Sequence, residues 1–379
     1  MLHLLWLLVF CFAVRGKEIE SLVNSNWTNR SAMNHDERST SDSILNIISF
    51  TRVQCTGAGG LQGTCYSRRQ CSGLQGTLSG TCAYNLGVCC VIYRSCDSST
   101  NNKVTYFTNP DLPTPSRENL NPFCPLTVSK SNKNICQLRI DFLDFSLAQP
   151  DVRGQCVDDY LEVIDGITAV PKICGENAGH HVYVDFHPKN TQIKLNIVTS
   201  KSASGIPKWN MKISQIECNS PDKAPAGYLM YFREIEGHVK SFNYPSVSRS
   251  SSGTQQLAST NYGVGVQLAP GYCSIEWNQD PKDPYSFTVS GDTDAFDTSV
   301  LGTPNAALSG VDCITDFIVI PNPSQVGTSL TTDRFCGNAL LPTTTSSKPI
   351  VLTVVTDNSE SSPDTENRGF SLTYRQIRC

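Results

Sequence analysis

The sequence predicts an all-β chain, with two β-sandwiches in tandem behind a small disulfide-rich module. Three observations predict it. The stretch Cys156-Val-Asp-Asp-Tyr-Leu-Glu-Val163 returns as Cys313-Ile-Thr-Asp-Phe-Ile-Val-Ile320, so the chain contains a repeat. Both copies are built from short runs that alternate apolar and polar residues, with no convincing amphipathic helix among them. Ahead of the repeat, six cysteines crowd into residues 55–90 among glycine-rich turns. So short a segment cannot build a sufficient apolar core, and disulfides worth about 2–4 kcal/mol each must supply the constraint.

The chain opens on an apolar run, Met1–Ala13, with small residues Val14 and Gly16 ahead of Lys17. This predicts a signal peptide over residues 1–16. A membrane span needs about 18 or more consecutive apolar residues, and no stretch supplies them. Cleavage would remove Cys11, so the 17 cysteines become 16, an even number suited to full pairing in an oxidising compartment. It would also take Arg15 from the 30 basic side chains, leaving 29 against 34 acidic ones, a net of −5. The charges are dispersed, with no basic patch for nucleic acid. A secreted, extracellular protein is expected.

Residues 17–50 read as a polar leader. They carry two glycosylation sequons, at Asn26 and Asn29, and an apolar segment, Ile44–Phe50, expected as a strand. Residues 51–95 form the cysteine-rich module, with Cys55, Cys65, Cys71, Cys82, Cys89 and Cys90. A zinc site is the rival reading, weakened by the lack of paired C-x-x-C knuckles and of any histidine in the module. Residues 96–218 and 219–379 are the two copies. In the first, strands are expected over Leu126–Val128, Leu138–Phe142, Tyr160–Ile164, Val182–Phe186, Ile193–Ile197 and Met211–Ile216. In the second, Ile350–Val355 and Phe370–Tyr374 supply late strands, and a Gly/Thr/Ser/Asp insertion occupies about 291–311.

The order Cys96, Asn109-Pro110, Cys124, Phe142-x-x-Phe145, Cys156-x-x-Asp-Tyr-Leu, Cys174-Gly175 and the closing Trp209 strand resembles a CUB domain, over about residues 96–218. The second copy is more divergent but keeps Phe242-Asn-Tyr-Pro245, Cys313-x-x-Asp and Cys336-Gly337. The resemblance implies two CUB-like jelly-roll β-sandwiches, a family that mostly serves extracellular binding. The cysteine-rich module, with Gly-Thr-Cys65-Tyr and Gly-Val-Cys89-Cys90, resembles the clip-like modules that precede CUB domains in secreted arthropod proteins. The clip pairing, which spacing alone cannot show, would give Cys55–Cys89, Cys65–Cys82 and Cys71–Cys90. The CUB pattern implies Cys96–Cys124, Cys156–Cys174 and Cys313–Cys336, leaving Cys136 to pair with Cys218 and Cys273 with Cys379. In the second copy Tyr228 and Gly265 stand where relatives carry a further cysteine pair, so its early strands are expected to be the looser part.

Some CUB domains bind calcium through a Glu, the Asp three residues beyond the third cysteine, and a late Ser/Thr-Asp pair. The first copy keeps Asp159, but Ala148 stands near the Glu position and Ser200-Lys201 replaces the late pair, so no calcium is expected there. The second keeps Asp316 and Thr356-Asp357, which makes Asp316 and Asp357 the candidate ligands of a weak calcium site. No cofactor is otherwise required. His180, His181 and His187 form the densest histidine cluster. On a strand His181, Tyr183, Asp185 and His187 would share a face, expected to meet water and, in a rival reading, to hold zinc.

No nucleophile elbow, His-Glu-x-x-His helix or phosphate loop is present, and the cysteines are best assigned to bonds. The sequence therefore points to a non-catalytic binding or adaptor protein whose tandem domains present loops to an extracellular protein or glycan. Tyr228, Tyr231, Phe232, Tyr262, Tyr272 and Tyr285 are the candidate exposed aromatics of the second copy, with strand packing as the plainer reading. A non-catalytic cofactor or decoy in an extracellular serine-protease cascade is the alternative. A metal-dependent hydrolase on the histidine face is the remote one.

Overall fold

The computed structural model of the protein describes residues 53–110, 117–244, 255–289, 300–358 and 367–379. The leader, both sequons and the Ile44–Phe50 segment lie outside them. Within the described part, the cysteine-rich module is a four-stranded sheet in the spatial order Gln54–Thr56, Gln62–Tyr66, Gly87–Val91, Thr77–Cys82. A single helical turn, Arg68–Gly73, starts in a capping box, Ser67 accepting from the Gln70 amide and Gln70 from the Ser67 amide. Among the described residues the module's own apolar cluster is small, Tyr66, Cys71, Val88, Cys90 and Ile92 with Leu74 against it. Disulfides Cys55–Cys89, Cys65–Cys82 and Cys71–Cys90 cross it. At Gly87 a β-carbon would meet both sulfurs of the Cys65–Cys82 bond at 2.9 Å, so the residue before Val88-Cys-Cys has to be glycine.

The module does not hang free. Tyr93–Arg94 pairs in parallel with Val104–Thr108 of the next domain. The Tyr66 hydroxyl donates to Asn102 Oδ1 at 2.8 Å, and the Gln62 amide donates to the Tyr106 hydroxyl at 3.0 Å.

The first sandwich has one sheet ordered Tyr160–Ile164, Gln192–Val198, Phe123–Ser129, Ser98–Thr100. The other runs His181–Asp185, Ile135–Ser146, Lys208–Glu217, Val104–Thr108, Tyr93–Arg94. Alternation along each strand sends Leu126, Val128, Leu138, Ile140, Phe142, Ile193 and Leu195 inward, where all are fully buried. Phe142 and Phe145, the aromatic pair of the Phe-x-x-Phe stretch, stack at 4.8 Å in this core. Disulfides Cys96–Cys124, Cys136–Cys218 and Cys156–Cys174 hold it.

The second sandwich repeats the plan. One sheet runs Tyr228–Phe232, Asn261–Val266, Ile350–Val355, Phe317–Val319, Arg334–Gly337, Ala307–Ser309. The other runs Glu236–Lys240, Gly369–Arg378, Tyr272–Gln279, Thr343–Thr345, Pro323–Gln325, Thr328–Ser329. Its bonds are Cys273–Cys379 and Cys313–Cys336. Where the first copy has the Cys96–Cys124 bond beside a parallel pair of strands, the second has Tyr228 beside the parallel pair Tyr228–Phe232 and Asn261–Val266. A β-carbon at Gly265 would meet the rings of Tyr231 at 2.7 Å and Tyr228 at 3.1 Å, so aromatic rings laid on glycine fill that space. The buried apolar cluster continues from the first sandwich into the second without a break.

Candidate functional site

Asp159 is buried at the loop end of the first sandwich, where the calcium pattern begins, and a cation from the chain already holds it. Arg117 sits on a single 3-10 turn, Arg117–Asn119. Its Nη1 and Nη2 donate to Asp159 Oδ1 and Oδ2 at 2.9 and 2.7 Å, a two-pronged pair. Nη1 also reaches the Ser200 carbonyl at 2.7 Å and Nη2 the Ser204 carbonyl at 2.8 Å, while Nε donates to the Gly205 carbonyl. The five N–H donors of a guanidinium thus meet five oxygens. Asp159 takes two further bonds from the amides of Ala148 and Ser200, at 3.1 and 3.0 Å. A ring of carbonyls around a buried carboxylate would suit a hard cation. Here Arg117 fills it, so these residues do not fit calcium.

In the second copy Asp316 is 2% exposed. Its Oδ2 accepts from Gln256 Nε2 at 2.5 Å and its Oδ1 from the Asp357 backbone amide at 2.7 Å. N–H donors satisfy a carboxylate without a metal, and both oxygens receive them. Among the described residues nothing completes a calcium site around Asp316 and Asp357, and the position of the pattern's Glu, near Ser290–Asp294, lies outside them. Among the described residues no three His, Cys, Asp or Glu side chains are grouped to hold a metal.

The histidine strand differs from its expectation. His181 and Tyr183, expected to meet water, are 7% and 1% exposed because the second domain covers them. His181 Nε2 lies 3.0 Å from the Tyr231 carbonyl and 3.2 Å from its amide, and the ring meets Phe232 edge-on at 4.9 Å. His180 points to the same seam, with Nδ1 3.2 Å from the Asn177 carbonyl and Nε2 3.1 Å from that of Ser241, and its ring stacks on Phe242 at 5.5 Å. His187 is exposed and joins neither. Burial, reinforced by the positive charge of Arg139, pushes His181 down to about 4, and burial also lowers His180. These are interface histidines held neutral, and the zinc face of the hydrolase reading does not form.

The seam has a second anchor at Phe242-Asn-Tyr244. Asn243, at φ 62°, accepts from the Glu176 amide at 2.9 Å and donates its own amide to Asn177 Oδ1 at 2.8 Å. Its Nδ2 reaches Gln149 Oε1 at 2.9 Å. The Ala258 amide donates to the Gly154 carbonyl at 2.9 Å, closing the far side.

Along the same seam a cleft of about 540 Å³ opens where the cysteine-rich module, the first domain, the linker and the second domain meet. At its centre two guanidinium groups converge on one neutral oxygen. Arg139 Nη1 and Arg233 Nη1 donate to the Tyr183 hydroxyl at 2.9 and 3.2 Å. Asp141 balances Arg139 at 2.7 Å and Lys212 at 3.2 Å, and Glu217 balances Lys103 at 2.7 Å. Arg139 and Arg233 also border a second depression of about 410 Å³ towards His238 and Tyr374.

Of the aromatics expected on the surface, Tyr262 is 5% exposed inside the second core, and Tyr231 and Phe232 cover His181. Tyr228 stacks on Tyr231 at 5.8 Å, while Arg368 lies over Tyr285 at 4.0 Å and Arg378 over Tyr272 at 5.9 Å. Sequence reasoning missed Arg117, Arg139 and Arg233. The one available signal was indirect: Asp159, stripped of the other acidic residues of the calcium pattern, needed a cation from elsewhere.

A CUB-domain model matches residues 96–207, and an animal CUB-domain model matches residues 225–377. Comparison with curated proteins finds no match. Among solved structures, the CUB1-EGF-CUB2 domains of rat MASP-1 are 15% identical, covering 73% of this chain and 99% of that one at a TM-score of 0.25. The human MASP-1/3 CUB1-EGF-CUB2 domain is 16% identical, covering 73% of this chain and 100% of that one, also at 0.25. The full extracellular region of zebrafish Gpr126/Adgrg6 is 12% identical, covering 74% of this chain and 36% of that one at 0.26. The two family matches fall on the two sandwiches, and the chain belongs to the CUB-domain family, with two such domains in tandem behind a disulfide-rich module.

Proposed function

We propose that this is a secreted, non-catalytic adaptor whose tandem CUB domains bind an extracellular protein or glycan. CUB domains are typical of extracellular binding proteins. The observation that carries the reading is the composite cleft at the module junction. Its walls come from four parts of the chain, so it exists only when they are packed together. Among the described residues nothing in its lining pairs a nucleophile with a base: its one tyrosine hydroxyl accepts from two guanidinium groups, and His181 behind it is buried against the Tyr231 backbone. In this reading residues 1–16 are removed on secretion, Asn26 and Asn29 carry glycans, and the boundaries fall near residues 51, 96 and 219. The eight disulfides provide the resistance to unfolding that an extracellular protein needs.

The test is capture from extracellular fluid on immobilised full-length protein, with reduced and unfolded protein as the control, alongside esterase and peptidase assays. Retention of a discrete ligand by the folded protein alone, with no turnover, is expected. Catalytic turnover, or equal capture by the unfolded chain, would sink the reading.

A further inference from the structure

The junction cleft carries charges of both signs, and their arrangement selects among ligands. Four cations line it, Lys103, Arg139, Lys212 and Arg233, against three carboxylates, Asp141, Glu217 and Asp222. Lys103 has Glu217, and Arg139 and Lys212 share Asp141. Arg233 is different. Among the described residues its guanidinium hydrogen-bonds only to oxygens that carry no carboxylate charge, the Tyr183 hydroxyl and the Pro221 carbonyl at 3.3 Å, and its Nε is buried without a hydrogen-bond partner. Two guanidinium groups therefore stand on one phenol oxygen; Asp141 answers Arg139, and Glu234 accepts from the Arg233 backbone amide, but among the described residues no carboxylate bonds the Arg233 guanidinium itself, which can take one from a ligand.

The rest of the lining decides what carries that charge. Gln54, Gln62, Asn219, Ser214 and Ser220 offer amides and hydroxyls, while Ile216 and Pro221 are the apolar exceptions. A polyacidic peptide would meet three carboxylates and find little apolar surface for its side chains. A ligand with one carboxylate and many hydroxyls uses both signs, its carboxylate on the guanidinium pair and its hydroxyls donating to Asp222 and the side-chain amides. The volume, about 540 Å³, suits one or two sugar rings.

We propose that this cleft binds an acidic sugar, its carboxylate held by Arg233 and Arg139. The assignment rests on the adaptor reading and names the ligand class of the same site.

Titration calorimetry of the full-length secreted protein with 3′-sialyllactose, lactose and a hexaglutamate peptide tests it. Sialyllactose should bind, lactose should bind at least tenfold more weakly, and the peptide should not compete. Arg233→Gln should weaken sialyllactose binding at least tenfold, because it removes the charge-assisted contact to the carboxylate. Lys189→Ala removes an exposed charge outside the cleft and should leave binding unchanged. Thermal midpoints within a degree or so of wild type would show both variants folded. Equal binding of lactose, no binding of sialyllactose, or preference for the peptide would overturn the sugar assignment. An unchanged affinity in folded Arg233→Gln would overturn the site. A negative sugar result with ligand still captured from extracellular fluid removes this inference and leaves the adaptor reading standing.

Discussion

Gly175 lies so close to Asn243 that a β-carbon added to it would sit 1.9 Å from the Asn243 Oδ1 atom. One belongs to the Cys174-Gly175 corner of the first domain, the other to the Phe242–Tyr244 stretch of the second. The Cys174-Gly175 pair thus serves the contact between domains as well as its own sandwich. Gly175 also has φ +75°, a region in which an L side chain is strained.

Gly175→Ala should therefore cost about 3 kcal/mol, combining about 1–2 for the left-handed backbone with the loss of Asn243 hydrogen bonds. Chemical denaturation measures it. Adding Asn243→Gly should cost less in the Gly175→Ala background than in wild type, because the clash has already displaced that side chain. Strict additivity would mean that the two residues do not meet.

Arg117 and Asp159 form a pair with side chains 10% and 0% exposed. Removing one partner strands a buried charge, so Arg117→Ala should destabilise the protein by about 3–5 kcal/mol. Because Arg117 supplies the cation and Gln256 with the Asp357 amide satisfies Asp316, chelation with EDTA should leave the wild-type thermal midpoint unchanged. A fall of several degrees on chelation would contradict this account of both carboxylates.

Much of the fold was legible because strand alternation and cysteine order are local in sequence. Phe142, Phe145 and Trp209 announce a core, and the repeat of Cys-x-x-Asp announces two of them. The seam was not legible. Val182–Phe186 alternates like a strand with one wet face, yet both faces are buried, because the second covering layer comes from Tyr231 and Phe232, about 50 residues away. Arg117 was hidden for the same reason: its loop and Asp159 are 42 residues apart, and nothing beside Arg117 marks it as buried.

The histidines of that seam give the interface a pH dependence. The folded state holds His181 at about 4, well below its ordinary value of about 6.5, and lowers His180 in the same direction. Between those values the unfolded chain binds protons that the folded chain refuses, so stability is full above about pH 6.5 and falls as the pH drops towards 4. For His181 the loss approaches about 3 kcal/mol at the acid end. The thermal midpoint should be lower at pH 5 than at pH 7.5. His181→Gln, which can keep contact with the Tyr231 amide and carbonyl, should flatten the slope. A midpoint that rises on acidification, or a slope untouched by the substitution, would contradict the assignment.

The central claim is that the two CUB domains are locked across one seam and so form the cleft together. Hydrogen–deuterium exchange of the full chain at neutral pH tests it at the amides that bond across the seam: Glu176 to Asn243, Asn243 to Asn177, Ala258 to Gly154 and Tyr231 to His181. These amides should exchange as slowly as those of the central strand Ile135–Ser146 and open with the global unfolding transition. Exchange as fast as that of the exposed loop at 187–189, with the core strands still protected, would show two domains moving independently and would contradict the claim.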